Sequence, residues 1–213
     1  FDKGQYASAY EELLPYAKQG NAKAQRIVGD LKIFGFNGVP VDYSEGIDWL
    51  EKAAKQGDVD AMASLGTSYM YGFGVNRNEG VAENWLLRSA ELGSVRGQGL
   101  LANLYASKGN AEFDKKAFKY FLMAAKQGEG VSQSKIAIMY LQGKAVNQDY
   151  EKSLYWALLS AENGNSDGQL IAGLIYSSGY GLDKPNVSEG KKWIQASANQ
   201  GNEKALEVIS SLP

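Results

Sequence analysis

The 213-residue sequence contains no cysteine and no histidine. Without cysteine, disulfides and thiolate chemistry are excluded, and without histidine there is no imidazole to bind a metal or to act as a general base. The 22 basic and 24 acidic residues give a net charge of −2, so the excess of positive charge that marks nucleic-acid-binding proteins is missing. No run of 18 apolar residues is present. We therefore predict no metal, no cofactor, no nucleic-acid partner and no membrane span.

The sequence is organised by six glycines that recur at intervals of 35 to 37 residues. These closing glycines are Gly20, Gly57, Gly93, Gly128, Gly164 and Gly201. Three positions before each of them stands an alanine: Ala17, Ala54, Ala90, Ala125, Ala161 and Ala198. Eight positions before stands an aromatic residue in every case except the first: Glu12, Trp49, Trp85, Tyr120, Trp156 and Trp193. A period of this length with apolar residues at fixed positions is typical of a repeat solenoid.

Each repeat is predicted to contain a helix, a glycine turn and a second helix. The predicted units are 21–57, 58–93, 94–128, 129–164 and 165–201, preceded by a half-repeat over 1–20 and followed by a trailing helix over 202–213. This gives twelve helices in a single domain over 1–213. Pro15 is expected to kink or break the first helix, because proline has no N–H to donate within a helix. The unit around 108–114 lacks the glycine turn and is expected to be irregular.

Polar residues are predicted to cap the helices. The Asn, Asp or Ser after a closing glycine can accept hydrogen bonds from the free N–H groups that open the next helix. These residues are Asn21, Asp58, Ser94, Asn165 and Asn202, with Glu129 as the weakest instance. The second helices are predicted to open with capping boxes at Asp42 and Glu45, Asn76 and Glu79, and Asn186 and Glu189.

One unit carries a pattern that is similar to the Sel-1-like repeat family, whose members are related to tetratricopeptide repeats. The residues are Ala61, Leu65, Gly66, Tyr69, Gly72, Gly74, Val75, Ala82, Trp85, Ala90 and Gly93. The resemblance implies an all-α fold, a right-handed α/α superhelical solenoid of about five repeats, and a non-enzymatic role in binding a partner protein or peptide. Many bacterial members are exported, so it also implies a periplasmic or otherwise exported location, with the cytoplasm as the alternative. A chain that starts at Phe1 is consistent with a removed signal peptide or with a shortened sequence.

The partner is predicted to bind on the concave face, which the first helices of the repeats line in tetratricopeptide-type stacks. The residues assigned to this face are Arg26, Asp30, Ile33, Thr67, Met70, Asn103, Ser134, Ile138, Leu141, Leu170, Leu174 and Ser177. The last aliphatic residues of this set are expected to form an apolar patch on the order of a few hundred Å², a size that marks interaction sites. Alternatively, the groove closes or the trailing helix covers them.

Aromatic residues occur in two patterns. The tryptophans Trp49, Trp85, Trp156 and Trp193 keep a fixed phase with the alanines, which favours packing over ligand stacking. The turn aromatics Phe34, Phe36, Tyr71, Phe73 and Tyr180 are expected to fold back on the adjacent turns, with one or two of them forming a projecting edge.

Two alternative functions remain open. The first is an exported immunity-type or regulatory protein that inhibits a secreted toxin or enzyme such as a lipase effector, which the resemblance permits. The second is serine hydrolysis or β-lactam binding through Ser132 and Lys135, which fit the S-x-x-K pattern. The K-T-G and S-D-N sequences that accompany this motif are missing, so polar residues on a helix surface explain it better.

Overall fold

The computed structural model describes residues 3–36 and 38–210, and this part of the chain contains twelve α-helices and no strand. The helices are α1 (Lys3–Lys18), α2 (Ala22–Phe34), α3 (Tyr43–Lys55), α4 (Val59–Tyr71), α5 (Glu79–Glu91), α6 (Val95–Ser107), α7 (Ala111–Lys126), α8 (Gly130–Gln142), α9 (Tyr150–Glu162), α10 (Ser166–Ser178), α11 (Val187–Asn199) and α12 (Glu203–Ser210). Within the same residues, no helix combines the length and the apolar character needed to cross a bilayer.

The predicted fold class is confirmed: one leading helix, five helix pairs and one trailing helix form an all-α fold of the α/α solenoid type. We call α2, α4, α6, α8 and α10 the first helices of the repeats, and α3, α5, α7, α9 and α11 the second helices. The chain divides into two compact units, residues 1–101 and 102–213, which we describe separately. The organisation as a single domain stays a prediction.

The helix ends follow the predicted chemistry, with one correction. The closing glycines adopt φ values between 78° and 95°, the left-handed conformation that ends a helix. Asn21, for example, accepts a hydrogen bond from the N–H of Ala24 at 2.9 Å. The cap of α5 is Asn78 and not Asn76, because the Asn78 side chain accepts from the N–H of Val81 while its own N–H donates to the carbonyl of Tyr69 at 2.9 Å.

Of the two outcomes predicted for Pro15, a break of the helix is wrong, and a kink stays a prediction. Helix α1 continues through Pro15 to Lys18. Proline removes one hydrogen bond from the helix but keeps its carbonyl, and here that carbonyl accepts from the N–H of Gln19 at 3.1 Å. The helix is therefore extended beyond the proline.

Apolar side chains of neighbouring helices form the core of each unit. In residues 1–101 the main cluster includes Leu50, Met62 and Leu65, all with no exposed surface. In residues 102–213 the corresponding cluster includes Ala157 and Ile175. The four tryptophans are half-buried, which confirms their packing role. Trp85 packs against the first of these clusters, Trp156 and Trp193 pack against the second, and Trp49 packs against a third cluster formed by Ala17, Ala24 and Val28.

Small residues bring the two helices of a pair into backbone contact. A Cβ atom added to Gly173 in α10 would lie 2.9 Å from the carbonyl oxygen of Gly190 in α11. A Cβ added to Gly66 in α4 would lie 2.6 Å from Cγ of Leu86 in α5. In α4 and α10 the distance between the helices thus favours glycine at this position, which a buried alanine occupies in α6 (Ala102) and α8 (Ala137).

Candidate interaction sites

The predicted partner-binding residues of the first unit lie partly on its surface and partly in its core. Ile33 and Thr67 are buried, at 2% and 8% exposure, and the Thr67 hydroxyl donates to the carbonyl of Ala63. Met70 is half-buried. Arg26 and Asp30 are half-buried and belong to a charged cluster.

This charged cluster connects three successive first helices. The hydroxyl of Ser64 in α4 donates to Oδ1 of Asp30 in α2 at 2.6 Å, and Nη1 of Arg96 in α6 donates to the same Ser64 hydroxyl at 2.8 Å. Oδ2 of Asp30 lies 3.3 Å from Nη1 of Arg26 and 3.6 Å from Nη1 of Arg96. Arg26 also pairs with Asp58 at 3.5 Å between Nε and Oδ1.

Burial dominates the electrostatics of Asp30. Removal from water raises the pKa of its carboxyl above the ordinary value, while the hydrogen bond from Ser64 and the charges of Arg96 and Arg26 act in the opposite direction. Because these groups satisfy one another, the cluster is a link between repeats, and its charges are largely occupied within the chain.

In the second unit, two of the predicted residues are buried. Ser134 has no exposed surface, and its hydroxyl donates to the carbonyl of Val131 at 2.8 Å. Leu170 is 6% exposed and packs with Ile194, Ala198 and Ala205. The trailing helix α12, which supplies Ala205, therefore covers part of the predicted apolar patch.

The remaining predicted residues of the second unit keep accessible surface. Asn103 is exposed, and Leu174 is 40% exposed although it is a large apolar side chain. Ile138, Leu141 and Ser177 are half-buried, and the first two pack against the core cluster around Ile175. Fewer of the predicted partner-binding residues of the second unit are thus accessible to a partner than the sequence indicated.

A cavity of about 200 Å³ opens in the second unit between α6, α7 and α8. Its lining includes Asn103 and Ile138 from the predicted set, together with Lys135. Two residues that the sequence analysis did not select, Asp114 and Lys144, form an ion pair there, with 3.0 Å between Nζ and Oδ1.

In the first unit the turn aromatics form a continuous row. Phe73 contacts three other rings: it stacks on Tyr43 and Tyr71 with centroids 5.8 and 5.7 Å apart, and Phe34 meets it edge-on at 6.2 Å. Phe34 in turn contacts Phe36. Tyr71 is 63% exposed, and Phe34, Phe36 and Tyr43 are each more than a third exposed, so the row forms a projecting edge with more members than the one or two predicted.

The ring of Tyr180 also folds back as predicted, and stacks on Tyr150 with centroids 5.0 Å apart. Tyr43, Tyr150 and Asp114 all stand fourteen residues before a closing glycine, while Phe73, Tyr180 and Lys144 all stand sixteen residues after one. The same contact between a second helix and the next turn is thus an aromatic stack in two repeats and an ion pair in a third. Aligning the repeats at these two positions would have identified Asp114 and Lys144 from the sequence, because they replace the paired aromatic residues of two other repeats.

The serine–lysine pattern has no accessible nucleophile in this structure. Ser132 is 1% exposed, and its hydroxyl is buried without a hydrogen-bond partner among the described residues. Lys135 lines the cavity, but Ser132 is not part of its lining. Across residues 3–36 and 38–210, no group of three or more acidic side chains is placed to hold a metal ion.

Five helix pairs in succession, with capped helix ends and glycine turns that recur at a fixed spacing, define an α-helical repeat protein. The Sel1 repeat model matches residues 22–58, 59–94, 114–129, 130–165 and 166–202. The chain therefore belongs to the Sel1 repeat family, as predicted. Proteins with Sel1 repeats generally mediate protein–protein interactions and are typically non-catalytic scaffolds.

Three known proteins illustrate the relationship. An uncharacterized protein of Neisseria meningitidis serogroup B is 27% identical over 211 residues, which cover 97% of this chain and 44% of that protein. The crystal structure of a protective antigen present in uropathogenic Escherichia coli strains is 33% identical, with a TM-score of 0.81, over 94% of this chain and 43% of that one. An immunity protein of Pseudomonas aeruginosa is 19% identical with a TM-score of 0.60, covers 96% of this chain and 79% of that one, and shares the fold alone. The chain thus spans less than half the length of the first two relatives.

Proposed function

We propose that this chain is a non-enzymatic protein-binding module that holds its partner against the first helices of the repeats. The proposal builds on the general role of Sel1 repeats in protein–protein interaction. Binding by a rigid helical scaffold requires side chains that stay accessible while their neighbours are fixed by packing.

The observation that carries the proposal is the exposure of Leu174. It is 40% exposed on α10, whereas Leu170, Ile171 and Ile175 of the same helix are buried. Leu174 stands ten residues after a closing glycine, in the same register as Asn103 and Ile138. In other repeats this register is used for packing, since Thr67 is buried and Ile138 packs against the core. A large apolar side chain that stays accessible there favours contact with a partner.

The test is the substitution Leu174→Asp. The charge is expected to abolish capture of the partner in a pull-down, because a buried apolar contact would have to accept an unpaired carboxylate. Leu92→Asp is the matched control, since Leu92 is 57% exposed at the end of the second helix α5. Both variants should keep the helical circular dichroism and melting temperature of the parent. Equal loss of capture in both variants, or capture unchanged by Leu174→Asp, would contradict the proposal.

A second candidate function is inhibitory binding of a secreted toxin or enzyme, such as a lipase effector. The observation in its favour is the shared fold with an immunity protein of Pseudomonas aeruginosa. In this case the captured partner should lose its catalytic activity when bound and recover it when Leu174→Asp replaces the parent chain. If the captured partner stays fully active, the inhibitory function is contradicted and only a scaffolding function is supported.

A further inference from the structure

The cavity between α6, α7 and α8 has a polar rim and an apolar floor. The rim contains Asn103 and Gln142, which are exposed, and Lys144, whose side chain is 45% exposed. The floor contains side chains with almost no exposed surface: Ala117 at 0%, Phe121 at 3% and Met139 at 6%. Such an arrangement suits a group that is apolar at one end and polar at the other.

The charge of the cavity is positive. Asp114 is paired with Lys144, while Lys135 forms no ion pair with any of the described residues. Among the lining residues two lysines, Lys135 and Lys144, stand against one carboxylate, Asp114, which leaves a net charge of +1, although the whole chain carries −2. An uncompensated ammonium group beside a partly desolvated cavity attracts an anion, and it does so more strongly than it would in open water.

The volume limits the size of the occupant. About 200 Å³ accommodates one aliphatic side chain together with a carboxylate, but no folded segment. A glutamate side chain would place its charge at the tip, against the apolar floor, where burial of a charge is costly. A C-terminal aliphatic residue instead carries its carboxylate on the same Cα as its apolar side chain, so that the charge stays at the rim while the side chain reaches the floor.

We propose that this cavity binds the C-terminal residue of a partner chain, with its aliphatic side chain against Phe121 and Met139 and its free carboxylate beside Lys135. The inference rests on the proposed protein-binding function and names the group that the second unit recognises. Asn103 and Gln142 carry amide N–H groups at the same rim, which are suitable donors to the carboxylate.

The chain offers a direct probe of this site, because it has only four methionines and one of them is Met139. With ¹³C-methyl methionine labelling, the Met139 signal is assigned by Met139→Leu, and the fully buried Met62 of the first unit serves as an internal reference. Titration with acetyl-Gly-Gly-Leu is expected to shift the Met139 signal and leave the Met62 signal unchanged. The affinity should fall as ionic strength is raised.

Four comparisons decide the result. The same peptide with a C-terminal amide should bind at least about tenfold more weakly, and so should the free acid to the variant Lys135→Gln. Lys116→Gln is the matched control, since Lys116 is a lysine of helix α7 that lies outside the lining and pairs with Glu112. This inference would be overturned by any of three results. The free acid and the amide of acetyl-Gly-Gly-Leu bind equally, acetyl-Gly-Gly-Glu-amide binds as strongly as acetyl-Gly-Gly-Leu, or no peptide shifts the Met139 signal. If Leu174→Asp abolishes partner capture while the peptides fail, only this inference falls and the proposed function stands.

Discussion

Nζ of Lys144 lies 3.0 Å from Oδ1 of Asp114, at the repeat positions where Tyr43 stacks on Phe73. The same contact between a second helix and the following turn is therefore made with opposite charges in one repeat and with aromatic rings in another. The repeat fixes which two positions meet, while the residues that occupy them determine whether the turn borders an aromatic edge or a charged cavity.

This ion pair should contribute little to stability. The side chain of Lys144 is 45% exposed, although that of Asp114 is only 13% exposed. Ion pairs with one well-hydrated partner contribute about 0.2–1 kcal/mol because water screens them. In a double-mutant cycle with Asp114→Asn and Lys144→Met, we expect a coupling energy in that range from chemical denaturation, decreasing in 1 M salt. A coupling energy well above this range would show that the pair is much less screened than its exposure indicates.

Ala145 is the only non-glycine residue with positive φ among the described residues, at 66°. It occupies the turn position that glycine fills in other repeats, including Gly181. Because the left-handed conformation costs an L-residue about 1–2 kcal/mol, Ala145→Gly should raise the free energy of unfolding by about 1 kcal/mol. The reciprocal change Gly181→Ala should lower it by about 2 kcal/mol or more, since the added Cβ would also lie 2.7 Å from Cβ of Tyr150. Thermal melts of both variants check the opposite signs.

The contact between α10 and α11 should not tolerate an added methyl group. For Gly173→Ala we expect a loss of about 1–3 kcal/mol in the free energy of unfolding, because the new Cβ would meet the backbone of Gly190 at 2.9 Å. Gly80→Ala is the matched control in a helix that has room: its nearest neighbour would be 3.5 Å away. There the lower flexibility of alanine should instead stabilise the chain, by up to about 0.5–1 kcal/mol. Equal effects at the two positions would refute the close-packing argument.

The stability contribution of Asp30 should decrease with rising pH. Its pKa is raised in the folded state by burial, so the folded chain holds the proton more tightly than the unfolded one. Stability relative to Asp30→Asn is therefore highest below the ordinary value of 3.8, and is lost as the pH rises through the folded-state pKa. Denaturant unfolding at several pH values between 3 and 7 measures this difference.

Asp149 provides the control of opposite sign. The hydrogen bond and charge of Lys152 lower the pKa of the Asp149 carboxyl, so its contribution is present above pH 3.8 and is lost as the pH falls. Stability relative to Asp149→Asn should thus rise with pH, where stability relative to Asp30→Asn falls. Parallel pH trends for the two variants would contradict the assignment of Asp30 as a carboxyl dominated by burial.

The helices and their ends could be predicted because each depends on residues close in sequence. Asn21 caps α2 by bonding three residues ahead, and closing glycines such as Gly57 end their helices through their own conformation. The position of the α5 cap could not be predicted, since two caps only two residues apart differ little in energy. The continuation through Pro15 could not be predicted because an interior proline costs about 3 kcal/mol, and the packing of Leu14 and Ala17 against α2 that offsets this cost is not visible in the sequence.

For the partner-binding residues, the sequence predicted their positions within the repeat but not which of their side chains are exposed. The repeat placed Leu170 and Leu174 on one helix at positions that looked equivalent, and the packing of Leu170 against α11 and the trailing helix separates them. The sequence also contained Asp30 and Arg96, but it gave no indication that Ser64 would lie between them.

The amino-acid sequence alone determined the repeat, the twelve helices and the membership in a protein-binding family, because a recurring pattern of small, aromatic and capping residues defines its own local structure. The tertiary structure decided which residues of that pattern remain available. It buried Ser134 and Leu170, left Leu174 accessible and opened a positive cavity beside Lys135. The exposure of a side chain depends on neighbours that are distant along the chain, as Ala205 is from Leu170. These neighbours come into contact only once the helices are packed.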